Sequence, residues 1–191
     1  AVQGRQIVFE ALRKVLGRKR SEFTVPLFAH YAVHYPYDFS LKNLMTRMSL
    51  DGSRENLREK IMERVRAGFL SSDLERREGF SAVLKWTAEH QLRLGALSFL
   101  DTATMESVRD RLGLADVGMK ILSIPSATSL RAMLEGWQSL VRQLGSSLGR
   151  SLALVSSAGA YRAALGAGLH CLALPDAFTA FQDFSGADAV L

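Results

Sequence analysis

Apolar residues in the first third of the chain recur every three or four positions, and polar residues fill the positions between them. This spacing is that of an amphipathic helix, which buries one face and solvates the other. It is found in four segments: residues 7–16, SEFTVPLFAHYAV, residues 41–48 and residues 53–69. Pro26 predicts that the second helix begins late or is kinked, whereas Ser21 and Ser53 are candidate caps. We therefore expect residues 1–74 to form a four-helix bundle.

From about residue 75 the pattern changes, because short apolar runs now alternate with helical segments. The runs are LRLGALSF, MKILSI, SLALV, HCLAL and DAVL. Such alternation is typical of a parallel sheet whose strands are joined by right-handed crossovers. One of the intervening helices, residues 130–144, carries an apolar stripe along its length. The sequence thus predicts an α/β fold, in which residues 75–191 form a Rossmann-like, doubly wound parallel core and residues 1–74 form a helical cap.

Composition narrows the class of protein. Hydrophobic residues make up 48% of the 191 residues, which is enough to bury a core. Cys171 is the only cysteine, so an internal disulfide and a cysteine-built metal site are both excluded. No apolar run approaches the length of a membrane span, and no segment resembles a signal peptide. We therefore expect a cytoplasmic protein that does not bind a membrane.

The net charge of +5 raises the question of an anionic partner. The densest basic cluster is Arg18, Lys19 and Arg20, and elsewhere basic residues alternate with acidic ones, as on a solvated helix face. No basic stripe with interleaved aromatic residues is present, which disfavours nucleic acid as the partner. His30 and His34 have the i, i+4 spacing of two metal ligands, but no third ligand accompanies them. We expect these histidines to be packed or exposed without a metal.

Candidate ligand-binding residues follow two of the predicted strands, because ligands bind outside the carboxyl ends of the strands in a doubly wound sheet. Ser98 ends the first apolar run, and Asp101 follows it at the expected start of a helix, where it can also act as a cap. Ser156 and Ser157 precede an Ala- and Gly-rich helix, whose N-terminus could bind an anion weakly. A phosphate-handling enzyme would need acidic residues at that second place to hold a metal ion.

The C-terminal sequence AALGAGLHCLALPDAFTAFQDFSGADAVL resembles that of the haloacid dehalogenase (HAD) superfamily, in which a helix closes with AAGM, a strand reads CIALP and DFSGAD precedes the last strand. RLGALS resembles the strand that carries the second motif of that family, and ESVRDRLGL resembles the helix after it. The whole chain is similar to hydrolases of the phosphoglycolate phosphatase and β-phosphoglucomutase type. The resemblance implies a parallel core with a four-helix cap inserted after the first core strand.

The resemblance also implies a chemistry that depends on four motifs. In the family, an aspartate on the first strand attacks phosphorus, and a second aspartate shortly after it handles the leaving-group proton. A Ser or Thr on the next strand binds the phosphoryl oxygens, a Lys near the third strand neutralises charge, and acidic residues after the fourth strand hold magnesium. The second motif has a counterpart here in Ser98.

The third and fourth motifs lack their charged residues at the matching positions. Pro125 and Ser126 stand where the family has Lys-Pro, and Lys120 precedes the strand rather than following it. Ser156 and Ser157 stand where the family has its acidic pair. Without carboxylates magnesium would lose its anchors.

The first strand of the family, with its nucleophile, has no counterpart in this sequence. If QIVFEAL were that strand, Glu10 would stand at the nucleophile and Leu12 at the proton donor, and Leu cannot transfer a proton. The helical periodicity assigns this segment to the first cap helix instead. A core without its central strand would expose unpaired backbone groups. We expect residues upstream of residue 1 to supply that strand. The alternatives are that a partner supplies it, or that residues 6–9 are extended and form it.

These departures predict a catalytically degenerate HAD-like protein that has lost phosphatase activity and acts by binding a protein partner or a phosphorylated small molecule. On this hypothesis no residue is assigned as catalytic, no cofactor or metal is bound, and the candidate ligand-binding residues are Ser98, Asp101, Ser156 and Ser157. The alternative is an active Mg²⁺-dependent hydrolase whose Asp-x-Asp motif lies upstream of residue 1. A third hypothesis is a binder of nucleic acid or acidic protein that uses the basic surface.

Overall fold

The computed structural model describes residues 3–33, 38–71, 73–124 and 129–191, and the chain divides into two compact units. The first unit extends to Phe80 and the second begins at Ser81. The helices of the first unit are α1 (Gly4–Leu16), α2 (Val25–Tyr31), α3 (Asp38–Arg47) and α4 (Arg54–Phe69), with a short 3₁₀ helix at Gly17–Ser21. Four α-helices therefore occupy the segments whose periodicity predicted them.

Single residues determine where two of these helices start. Pro26 lies in the first turn of α2, where its fixed φ and missing N–H are tolerated, so this helix begins late, as predicted. Its N-cap position is Thr24, and the predicted cap Ser21 instead ends the 3₁₀ helix, so that prediction was wrong. Ser53 caps α4 as predicted, because its hydroxyl oxygen accepts a hydrogen bond from the Asn56 N–H at 3.1 Å.

Helices α1 and α4 pack against each other in the first unit. Gly68 permits their close approach, because a Cβ atom there would lie 2.5 Å from Cγ2 of Ile7. The buried rings of Phe9, Phe23 and Phe28 form an aromatic cluster beside α1, with ring centroids 5.3–6.3 Å apart. Residues 6–9 belong to α1, so the alternative in which they are an extended core strand is wrong.

Strands and helices alternate in the second unit. Its elements in chain order are α5 (Phe80–Glu89, which starts at the boundary), β1 (Gly95–Ser98), α6 (Thr102–Arg111), β2 (Lys120–Ser123), α7 (Leu130–Gln143), β3 (Leu152–Val155), α8 (Ala158–Gly166), β4 (His170–Ala173) and β5 (Ala189–Val190). Every strand pair is parallel, which confirms the predicted α/β fold. Within the described ranges, no helix is long and apolar enough to cross a membrane.

The strands of this unit form two separate sheets rather than one. Strand β1 pairs with β2, with Gly95 opposite Lys120. Strands β3, β4 and β5 pair in that order, with Leu152 opposite His170. Among the residues that the structure describes, no pairing joins β1 to β3. The predicted parallel core is therefore present in two parts.

One face of the three-stranded sheet is buried by helices. The side chains buried there come from β3, β4, α7 and α8 and include Ala153, Val155, Cys171, Ala173, Val141, Tyr161 and Ala164. Gly166 lets α8 lie close to α7, because a Cβ atom there would be 3.1 Å from Cδ1 of Leu134. On the strand β3 itself, Leu152 and Leu154 alternate with the buried residues and are 54% and 45% exposed.

Helix α7 also packs against β1. Leu140 is 2% exposed, and a Cβ atom on Gly95 would lie 2.9 Å from its Cδ1 atom. The buried part of the apolar stripe begins at Met133. Leu130 is 48% exposed, so the predicted stripe is about one turn too long at its start.

Replacing Leu140 with Ala tests whether α7 anchors the second unit. Large-to-small changes at fully buried leucines cost about 2–5 kcal/mol, because they leave a cavity. We expect L140A to lower the free energy of unfolding by that amount in a urea titration followed by circular dichroism. Leu130→Ala, an exposed leucine on the same helix, is the matched control and should change it by less than about 0.5 kcal/mol. Equal effects of the two substitutions would contradict the packing described.

Candidate functional site

The carboxyl ends of parallel strands meet at one edge of a sheet, and Ser98 is the last residue of β1 at that edge. Its hydroxyl oxygen accepts a hydrogen bond from the Leu100 N–H at 3.1 Å, which shapes the turn after the strand. Ser123, the last residue of β2, donates its hydroxyl to the carbonyl of Leu100. The hydroxyl proton of Ser98 is still able to donate to a ligand, since one hydroxyl both donates and accepts.

Asp101 is the N-cap of α6, as predicted. Its Oδ1 atom accepts a hydrogen bond from the Thr104 N–H at 3.0 Å. The Thr104 hydroxyl lies 3.0 Å from Oδ1 and 2.9 Å from Oδ2, so both carboxylate oxygens contact this buried threonine. The carboxylate therefore stabilises the start of a helix.

Ser156 and Ser157 follow β3, and Ser157 is the N-cap of α8. The buried Ser157 hydroxyl accepts a hydrogen bond from the Ala160 N–H at 3.4 Å. Gln182, a residue that sequence reasoning missed, accepts one from the Ala158 N–H through its Oε1 atom at 2.7 Å. Two amide groups at this helix N-terminus thus already have partners from the protein. No local sequence pattern indicates this role, because Gln182 lies in the loop before β5.

Several residues considered from the sequence lie elsewhere. Lys120 starts β2 and donates from Nζ to the Gln143 carbonyl at 2.6 Å, so it binds the end of α7. His30 is exposed and makes an edge-to-face ring contact with Tyr31. His34, Pro125 and Ser126 lie outside the described residues.

The donor groups at the strand ends, as far as the structure describes them, do not fit a magnesium ion. Asp176 follows β4, and its Oδ1 atom accepts hydrogen bonds from the Phe178 N–H at 2.9 Å and the Thr179 hydroxyl at 3.1 Å. Like the carboxylate of Asp101, it fixes a local turn. Among the described residues, no three His, Cys, Asp or Glu side chains are placed to hold a metal ion. A hard cation prefers carboxylate oxygens, and neutral serine hydroxyls are weak substitutes.

The DFSGAD segment holds the last turn onto α8. The Tyr161 hydroxyl donates to the Ser185 carbonyl at 2.6 Å, and a Cβ atom on Gly186 would lie 2.8 Å from that hydroxyl. Gly186 has a φ of +94°, which also favours glycine. Asp183 accepts hydrogen bonds from the hydroxyl and N–H of Ser185, and these lower the pKa of its carboxyl group. The DFSGAD segment therefore serves to fix the last turn of the chain against α8.

Asp188 of the same segment binds the start of β4. Its Oδ2 atom accepts a hydrogen bond from the Cys171 N–H at 2.6 Å, and Oδ1 lies 3.3 Å from Nδ1 of His170. The bond from the backbone, followed by that from His170, lowers the pKa of this carboxyl group. Burial and then the nearby Asp188 charge raise the pKa of the Cys171 thiol to about 11. Cys171 is fully buried in the core of the three-stranded sheet.

The lowered pKa of Asp188 predicts a specific loss of stability in acid. Because the folded state favours the ionised carboxylate, its contribution is fully present above the unfolded pKa near 3.8 and is lost as the pH falls through the lower folded value. We expect Asp188→Asn to destabilise the protein at pH 6, with a smaller difference from the wild type at pH 3, in urea titrations. Asp116→Asn, at an exposed position, is the control. A difference that does not depend on pH would contradict the assigned contact.

Comparison with known proteins places this geometry in a known fold. No family model and no curated protein matches the chain. Among solved structures, CbbY from Rhodobacter sphaeroides in complex with phosphate is 16% identical, with a TM-score of 0.77 over 100% of this chain and 88% of its own. A HAD family hydrolase from Deinococcus radiodurans, solved with bound phosphate and sodium, is 18% identical, with a TM-score of 0.70 over 98% and 84% of the two chains.

A third solved structure extends the same likeness to the dehalogenases. L-2-haloacid dehalogenase from Xanthobacter autotrophicus is 12% identical, with a TM-score of 0.61 over 89% of this chain and 71% of its own. The similarity thus covers CbbY, a HAD family hydrolase and a dehalogenase, all at low sequence identity. The chain has the fold of the HAD-like hydrolases.

Proposed function

We propose that this chain is a degenerate HAD-fold protein that acts by binding rather than by phosphate-ester hydrolysis. The proposal is supported by one observation: the polar side chains at the strand ends form hydrogen bonds within the protein that stabilise helix starts and turns. Asp101 and Asp176 cap local structure, and Ser157 caps α8. A phosphatase of this fold would need carboxylates at the strand ends to hold magnesium, and these groups do not fit that task.

Between the two classes of ligand expected from the sequence, the geometry favours a protein partner. A phosphate group would be bound at the N-terminus of α8 by free amide groups. There the Ala158 N–H is bonded to Gln182 and the Ala160 N–H to Ser157. By contrast, exposed leucines on β3 offer apolar surface, which is characteristic of contacts with another polypeptide.

A phosphorylated small molecule remains the second candidate, because two solved proteins of this fold are described with bound phosphate. Ser98 would be its main contact in this chain, since its hydroxyl can donate at the end of β1. The basic surface favours neither candidate. Lys19, in the densest basic cluster, already donates to the carbonyls of Met48 at 2.7 Å and Ser49 at 2.8 Å.

The direct test is a phosphatase screen of the purified protein with Mg²⁺ on a panel of phosphate esters. We expect no phosphate release above the level of a Ser98→Ala variant prepared in parallel, because the described carboxylates at the strand ends, those of Asp101 and Asp176, are engaged in local hydrogen bonds. The variant separates intrinsic activity from a contaminant, which it would not affect. Mg²⁺-dependent turnover that Ser98→Ala abolishes would overturn the proposal and support an active hydrolase.

A further inference from the structure

The end of α1 and the 3₁₀ helix after it form the most concentrated positive charge of the first unit. Between Glu10 and Glu22 the sequence contains no acidic residue, and five of its residues are basic, all of them within residues 13–20. On α4, by contrast, acidic residues alternate with basic ones, and Arg54 pairs with Glu55 at 3.6 Å. We call residues 13–20 the basic segment.

The second half of the basic segment is held in place at three points. Leu16 and Phe23, on either side of it, are buried in the first unit. Lys19 lies between them, and its Nζ atom donates to two backbone carbonyls that follow α3, at 2.7 Å and 2.8 Å. A partner that binds a surface already fixed in this way loses less free energy to ordering it. Arg18 and Arg20 are thus presented on both sides of an anchored residue.

Three of the five cations have a structural role. Arg13 and Lys14 lie in the last turn of α1, where positive charge stabilises the C-terminus of a helix. Lys19 is the anchor. Arg18 and Arg20 are exposed, and among the described residues their side chains make no hydrogen bond or ion pair. These two guanidinium groups are therefore available to a partner.

The geometry of the 3₁₀ helix separates these two arginines from the anchor. Three residues complete one turn of such a helix, so successive side chains point about 120° apart. Since Lys19 is directed at the carbonyls after α3, Arg18 and Arg20 point to either side of that contact. A guanidinium group can bind a carboxylate through two parallel N–H···O bonds. The pair therefore suits carboxylates spaced along an extended chain.

Charge alone does not distinguish a small anion from a polymer, but the shape of the surface does. Small molecules bind in concave sites that bury most of their area, whereas both arginines are exposed. From Lys14 to Arg20 the chain advances at most about 10 Å, which is the length of about four extended residues. Proteins that bind nucleic acid commonly contact about six to ten phosphates, more than the basic segment could engage. Its size thus fits a short acidic peptide.

We propose that the basic segment binds an acidic segment of a partner protein, with Arg18 and Arg20 as the main contacts. The proposal rests on the proposed binding function and names the chemistry of the partner. An acidic partner also offsets the repulsion among five neighbouring positive charges. Exposed ion pairs are individually weak and are screened by salt, so several pairs act together in this interface.

The test is fluorescence anisotropy of a labelled synthetic peptide with the core Glu-Asp-Glu-Asp between flanking glycines, titrated with the purified chain at low salt. We expect saturable binding that weakens severalfold between about 50 mM and about 300 mM NaCl, because dissolved ions screen exposed charges. A peptide with the core Gln-Asn-Gln-Asn should not bind. The double variant Arg18→Gln/Arg20→Gln should weaken binding of the acidic peptide about fivefold or more, since two ion pairs are lost.

The matched control is Arg142→Gln/Arg150→Gln, which removes the same charge from two exposed arginines of the second unit and should leave the affinity unchanged. Urea titrations establish that both double variants are folded. Absence of binding, or equal effects of the two double variants, would overturn the proposal. Tighter binding of a labelled oligothymidylate of the same net charge would overturn it in favour of nucleic acid. The phosphatase screen is independent, so a failed peptide titration with no phosphatase activity would refute the basic segment alone.

Discussion

A strand inside a parallel sheet needs hydrogen-bond partners along both of its edges, and this requirement dominates the second unit. Buried peptide groups without partners are costly, so most proteins pair or cover them. Here β1 is paired on one edge to β2, and β3 is paired on one edge to β4. Helix α7 contacts both β1 and β2 and also packs against α8, which in turn contacts β3 and β4.

The polar chemistry of the strand ends follows a second constraint, the need to satisfy helix N-termini. The first amide groups of a helix have no partners within it, and side chains of Ser, Thr, Asp or Asn usually supply them. In this chain Asp101, Ser157 and Gln182 do so at α6 and α8. Oxygen atoms that could have contacted a metal ion or a phosphate thus stabilise the fold.

Much of the fold was predictable from the sequence, because periodicity and capping are local signals. The helical segment that contains Glu10, the cap at Ser53 and the strand that ends at Ser98 were all evident from spacing alone. Contacts between residues that are far apart in the sequence were not predictable in this way. Gln182 reaches α8 across 24 positions, and the division of the described strands into two sheets depends on pairing that no single segment encodes.

The candidate site was hard to predict from the sequence because the roles of its side chains also depend on contacts that the local sequence does not encode. The sequence does not distinguish a serine that binds a ligand at a strand end from a serine that caps the following helix. For Ser157 the structure distinguishes the two, since its hydroxyl contacts the Ala160 N–H. For Ser98 both roles remain compatible with its geometry, because its hydroxyl accepts from the backbone and can still donate.

The central claim is that β3 has one paired edge and one open edge, and residue-resolved amide hydrogen exchange tests it most directly. The account predicts an alternation along one strand. The amides of Ala153 and Val155, which point to β4, should be protected, whereas those of Leu152 and Leu154 should exchange faster, because none of the described strands pairs with that edge of β3. Equal protection of all four amides in the isolated chain would contradict the account, since it would mean that β3 is paired on both sides.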